Sequence, residues 1–163
     1  MAKKNNAHGV DAISYNNLDE AVQGILLAEV APVVEEILRK HIQTDIYDAY
    51  TPKEGAWVDG QTYERRHVLE DAITSEIIDG GTLFVTSTAA ANDSVVRGYA
   101  FSNDHPGAFL ELLESGNMGI WRGGFARPAV ANAQSEVDGS AEIRMLIENG
   151  VRRELQRAAR TSR

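Results

Sequence analysis

The sequence predicts an α+β fold, with a long N-terminal helix and a C-terminal helix packed on a small antiparallel β-sheet and extended loops between the elements. Three observations predict it. Apolar residues recur at steps of three and four from about residue 17 to residue 48, the period of a helix with one buried face. The same period returns from about Ser140. Between the two lies a β-forming run next to a turn sequence, Asp79-Gly80-Gly81. The implied organisation is a flexible arm over 1–16, one domain over 17–160 with loops at 51–66 and 89–106, and a short tail at 161–163.

The first 16 residues are small and polar and have nothing to bury. Asn17 and Glu20 then have the spacing of a capping box, where a helix begins. Val22, Leu26, Val30, Val33 and Ile37 make one apolar stripe, and Glu35, Glu36, Arg39 and Lys40 fall largely opposite it. Pro32 lies inside the run. Lacking an N–H, it must either kink one long helix or stand in the first turn of a second. The helix should end near Asp48, before Thr51-Pro52. Residues 51–66 read as a loop, punctuated by Pro52, Gly55 and Gly60 and carrying two large aromatics, Trp57 and Tyr63. These either fold back onto the core or anchor an interface, where aromatic side chains carry a disproportionate share of binding energy.

Residues 72–89 read as a hairpin, with Ile73, Ile77 and Ile78 before the turn and Thr82-Leu83-Phe84-Val85-Thr86-Ser87-Thr88 after it. Residues 89–106 are small and polar, either a long loop or a third strand. Residues 107–115 read as a short helix through Phe109, Leu110, Leu112 and Leu113, stopped by Gly116. The final helix carries Ile143, Leu146, Ile147, Val151 and Leu155. Its early glutamates and late arginines complement the helix dipole.

Composition excludes several functions. Of the 163 residues 43% are hydrophobic, enough for a core, so a fully disordered chain is excluded. The net charge of −8 argues against a protein that coats nucleic acid, which needs a basic surface. There is no cysteine, hence no disulfide, zinc finger or thiol chemistry. The apolar cluster nearest the start is interrupted by Glu29 and Pro32, so neither a signal peptide nor a span of about 20 apolar residues is expected, and the chain should be cytosolic when made.

Motifs for catalysis are missing. There is no phosphate loop, no Gly-x-Ser-x-Gly elbow and no His-Glu-x-x-His, and the four histidines (His8, His41, His67, His105) lack metal-site spacing. Gly119 to Gly124 lacks the flanking strand and helix of a dinucleotide loop. Glu111 and Glu114, three apart on a helix, could do acid–base work, as could Asp45 and Asp48, but such pairs more often form a solvated face. His41 lies beside Ile37 and Leu38 with no partner visible in the sequence, and reads as a packed or edge histidine. No catalytic residue, metal or cofactor is assigned.

Charge is unevenly distributed. From Arg152 onward there are five arginines against one glutamate, a balance of +4, which leaves −12 for the preceding 151 residues. A basic helix end on an acidic body can meet phosphate or the acidic face of a neighbouring copy, and the overall acidity favours the neighbour.

The order of elements, with Glu114-Ser115-Gly116 followed by Phe125-Ala126-Arg127-Pro128-Ala129 ahead of the last helix, resembles the head-to-tail connector or tail-completion proteins of the tailed-bacteriophage neck. In that family a Glu-x-Gly segment precedes an aromatic-x-Arg-Pro-Ala segment. The stretch Tyr47-x-x-Tyr50-x-Pro52 followed by Tyr63-Glu64-Arg65-Arg66 is similar to phage relatives as well. The resemblance runs from about residue 18 to 157. It departs in the insertion-like segment 89–106 and at His67-Val68-Leu69, where the pattern has Thr-Gly-x-Leu.

The resemblance implies a virion structural protein: a cyclic homo-oligomer, six copies favoured and twelve possible, joining the portal or adaptor side of the head to the tail. DNA would pass as a non-specific duplex, and no membrane is involved. A tail terminator, a minor capsid protein and a small carboxylate-dependent enzyme are the alternatives. Interface residues are expected at Trp57, Tyr63, Arg65 and Arg66, then at Glu114, Trp121, Arg122, Phe125 and Arg127, with Gly116, Pro128 and Ala129 as structural positions. An acidic lumen would repel phosphate and keep the duplex from sticking.

Overall fold

The computed structural model describes residues 19–49, 57–58, 61–62, 67–90, 105–115 and 126–161, with backbone only for 57–58 and 61–62 and without the side chains of Leu112 and Thr161. The architecture is α+β. A long helical run, α1 (19–48), is followed by two short strands, β1 (Trp57–Val58) and β2 (Gln61–Thr62). A single helical turn, α2 (Val68–Asp71), leads into the hairpin β3 (Ile73–Ile78) and β4 (Thr82–Ser87). Three helices complete it: α3 (Ala108–Ser115), α4 (Ala129–Gly139) and α5 (Ala141–Thr161).

α1 stays helical through Pro32. The turn before it widens to a π-helix over Leu26–Val30, where the Ala31 N–H donates to the Leu26 carbonyl five residues back. Proline has no N–H and its ring presses on the carbonyl four residues earlier, so a wider turn is a physical way to keep the helix running. A second π stretch, Ile42–Asp48, buries Ile42, Ile46 and Tyr47 on one side.

The loop read at 51–66 contains a small ladder. Trp57 pairs with Thr62 and Val58 with Gln61, antiparallel. The two residues between the strands in the sequence are Asp59-Gly60, a pair that favours a tight hairpin link. The longer hairpin stands where the sequence put it. Asp79 and Gly80 have φ of 50° and 77°, and the Gly81 N–H donates to the Ile78 carbonyl at 3.1 Å. Two successive positive φ values define the mirror-image turn that matches strand twist. The third strand considered in 89–106 falls mostly outside the described residues.

α4 is an element the sequence reading did not predict. It is short of large apolar residues and buries only Ala129 and Ala133. α5 begins where expected, with the Ser140 hydroxyl accepting from the Ile143 N–H at 3.2 Å, a helix N-cap.

The chain groups into two compact units. One holds the early part of α1 up to Val33, the hairpin tip Glu76–Phe84, and α5. In it Ile25 and Ile143 are buried, and Gly150 of α5 lies against Ile25. The other holds the described residues of Val34–Ser75 and Val85–Gly139. Its core is Leu38, Ile42, Ile46, Tyr47, Leu69, Ala89, Leu110, Leu113, Ala129 and Ala133. The polar groups inside it are paired. The Ser87 hydroxyl, fully buried, donates to the Leu69 carbonyl at 2.8 Å, and the Leu69 N–H donates to the Tyr47 hydroxyl oxygen at 3.3 Å. Among the described residues no helix is long and apolar enough to cross a membrane.

Candidate functional site

Of the expected interface and structural positions, Glu114, Arg127, Pro128 and Ala129 can be followed in full, and they meet at one junction. α3 ends at Ser115, and the Leu113 carbonyl accepts from the Arg127 N–H at 3.0 Å. Pro128 opens α4, its carbonyl accepting from the Asn132 N–H at 2.9 Å. Proline suits this place because it gives up no N–H that the helix would use. The Glu114 carboxylate accepts from the Val130 N–H at 2.6 Å, so it satisfies a free N–H of the first turn of α4 and sits at the positive end of its dipole. Burial pushes the Glu114 carboxyl above its ordinary value of 4.5, outweighing the amides of Val130 and Ala129, and the nearby charge of Asp45 adds to the rise. Glu114 thus joins α3 to the first turn of α4, and Ala129 is fully buried.

Trp57 lies in β1, opposite Thr62. Tyr63, Arg65, Arg66, Gly116, Trp121, Arg122 and Phe125 lie outside the described residues.

The two carboxylates of each pair have separate partners. Glu111 is largely exposed and lies 3.5 Å from His105. Asp48 accepts from the Gln43 side-chain amide at 2.6 Å, whereas Asp45 turns to other partners.

Among those partners is His41. Its Nδ1 lies 2.8 Å from Asp45 Oδ2 and its Nε2 lies 3.0 Å from Glu136 Oε2 on α4. The Asn132 amide donates to Asp45 Oδ2 at 2.9 Å, and Lys40 Nζ donates to both Glu136 oxygens at 2.7 and 2.9 Å. A ring with both nitrogens protonated donates to both carboxylates, whereas a neutral ring donates to one. The i+4 spacing of Asp45 was visible in the sequence; Glu136, 95 residues on, was not. Burial acts to raise the Asp45 carboxyl, but hydrogen bonds from Asn132, His41 and Thr44 outweigh it and hold it below the ordinary 3.8. Lys40 first and His41 second hold Glu136 below its ordinary value too.

An Asp–His pair orients a general base in triads, where the second ring nitrogen faces a nucleophile. Here that nitrogen faces Glu136, which Lys40 also holds. The arrangement fastens α4 to α1 within one unit. Among the described residues no group of three or more His, Cys, Asp or Glu is arranged to hold a metal ion.

No family model, curated protein or solved structure matches this chain.

The second half of α5 is rich in arginine. Arg152, Arg157 and Arg160 are exposed on its second half, with Leu155 exposed among them.

Proposed function

We propose that this chain is a virion structural protein of a tailed bacteriophage, a subunit of a ring in the neck that joins the portal or adaptor side of the head to the tail and lets DNA pass. The observation that carries the reading is the junction of α3 and α4. The two halves of the motif behind the resemblance, Glu114 and Arg127-Pro128-Ala129, lie 13 to 15 residues apart in the chain and form one structural unit. A motif whose parts cooperate physically is better support than scattered identities.

The departure at His67 also fits. It stands where the family pattern has glycine, and its φ is 51°, a left-handed conformation that glycine adopts freely and other residues resist. In this reading the chain makes no covalent bond. It acts by contact with copies of itself and with neck, portal or adaptor, and tail proteins, in the virion and beforehand in the host cytoplasm. The acidic balance of −8 suits a passage for DNA.

Electron microscopy of the purified protein and of particles carrying a labelled copy tests this. A closed ring at the head–tail junction, with six or twelve copies, is the expected result. Label at the far end of the tail or over the capsid would move the chain to a tail-terminator or minor-capsid role. A monomer absent from particles would overturn the proposal.

A further inference from the structure

The unit that contains α5 is electrically polarised along its length. Gly150 lies against Ile25, and Arg153 pairs with Glu29, so moving forward on α1 is moving forward on α5 and the two helices run parallel. The Gln23 side-chain amide donates to the Gly80 carbonyl at 2.9 Å, which brings the hairpin turn to the early end of α1. One end of this unit therefore gathers the exposed acids Asp19, Glu20 and Asp79, and the other carries the exposed arginines Arg152, Arg157 and Arg160. Ile25 follows Asp19 by six residues and Arg160 follows Gly150 by ten. At about 1.5 Å per residue the ends lie roughly 24 Å apart. The screening length in physiological salt is about 8 Å, so the two ends do not neutralise each other within one copy. Leu155 is 54% exposed among the arginines, and Phe84, on the strand after the hairpin turn, is 43% exposed.

We propose that the basic end of α5, centred on Leu155, is the docking surface for the acidic end of the same unit in a second copy, so that copies associate head to tail. Opposite charges around an apolar centre match the anatomy of protein interfaces. A contact between two different patches is heterologous, and such a contact repeats from copy to copy until rotation closes a ring. The inference deepens the neck-ring reading and rests on it for closure. Nucleic acid is the other anion that a row of arginines could meet, but the remaining −12 of the chain opposes approach of a polyanion and favours an acidic partner of limited size.

The test uses the full chain and two double variants, Arg157→Glu with Arg160→Glu, and Asp19→Lys with Glu20→Lys. All four residues are exposed, and circular dichroism checks that the helices persist. Arg157 also pairs with Glu154 at 3.9 Å, so an Arg157→Gln, Arg160→Gln variant serves as the milder control. Self-association is followed by analytical ultracentrifugation at low and high salt. Each reversal should weaken it by roughly tenfold or more, high salt should weaken the native chain, and an equimolar mixture of the two reversed variants should assemble again. Rings that form equally well with either variant would overturn this interface and leave the neck reading standing. A native chain that stays monomeric at every concentration and is absent from particles would end both. Association lost with the arginine variant but unaffected by the Asp19, Glu20 variant would mean a symmetric α5 pairing and reject head-to-tail contact. DNA retention abolished by the arginine variant, with self-association unchanged, would reassign the surface to nucleic acid.

Discussion

At the scale of single residues, small polar side chains decide how the core closes. Ser87 is fully buried between the Leu69 carbonyl, to which it donates at 2.8 Å, and the Ala89 N–H, from which it accepts at 3.4 Å. Removing the hydroxyl leaves a buried carbonyl unpaired. Ser87→Ala should therefore cost about 1–3 kcal/mol, read as a lower urea midpoint with unchanged slope; no shift would mean that water replaces the hydroxyl. Asp45 acts through charge. Its native carboxyl titrates below the ordinary 3.8, so the unfolded chain takes up the proton first. The stabilisation is complete above the unfolded value and fades as pH falls through the native one. Asp45→Asn should lower stability at neutral pH and flatten its decline below pH about 4. An acid limb as steep as that of the native chain would show that other carboxylates carry it. His41 shows the limit of reading such a residue alone. Half of its environment, Asp45, is four positions away, and the other half arrives with a helix the sequence did not announce.

At the scale of elements, α4 exposes why one helix was legible and another was not. α1 and α5 carry large apolar residues at helical spacing, so burial writes itself into the sequence. α4 buries two alanines, and its first-turn partner comes from Glu114 on α3. A cap supplied from another element leaves no local spacing to find. Glu114→Ala should cost about 1 kcal/mol and Glu114→Gln, which keeps an acceptor oxygen, distinctly less. Equal losses in thermal melts would argue that the charge and not the hydrogen bond matters. The crossing of α1 and α5 depends on a missing side chain. A Cβ on Gly150 would stand 2.7 Å from Cγ2 of Ile25, a stiff β-branched residue. Leaving glycine for a better helix former gains only about 1 kcal/mol, whereas overpacking costs about 1–3 kcal/mol. Gly150→Leu should lower the melting temperature, and an unchanged or higher value would mean that the helices part without cost.

At the scale of the whole molecule, stability should be uneven. The core from Leu38 to Ile46, with Leu110 and Leu113, is buried on all sides, whereas the last turns of α5 are exposed and end in arginines. Hydrogen exchange on the dissociated chain should be slowest in the first set and fast over residues 155–161, since exposed helix ends open locally. On association the same α5 turns should slow while the core amides do not. Turns of α5 as protected as the core before association would contradict this picture.

By itself the sequence determined the α+β class, the helical course of α1, the turn at Asp79-Gly80 and the start of α5, because each of these is written in local periodicity, turn chemistry or a nearby cap. It also determined the separation of charge along α5. Only the tertiary structure decided that Pro32 sits just after a π turn, that α4 is a helix, that Glu114 spends its carboxylate on a backbone amide, and that His41 lies between two carboxylates. Each of these depends on groups distant in the chain or on how a helix absorbs a missing hydrogen bond, and contacts between distant groups leave no period in a sequence.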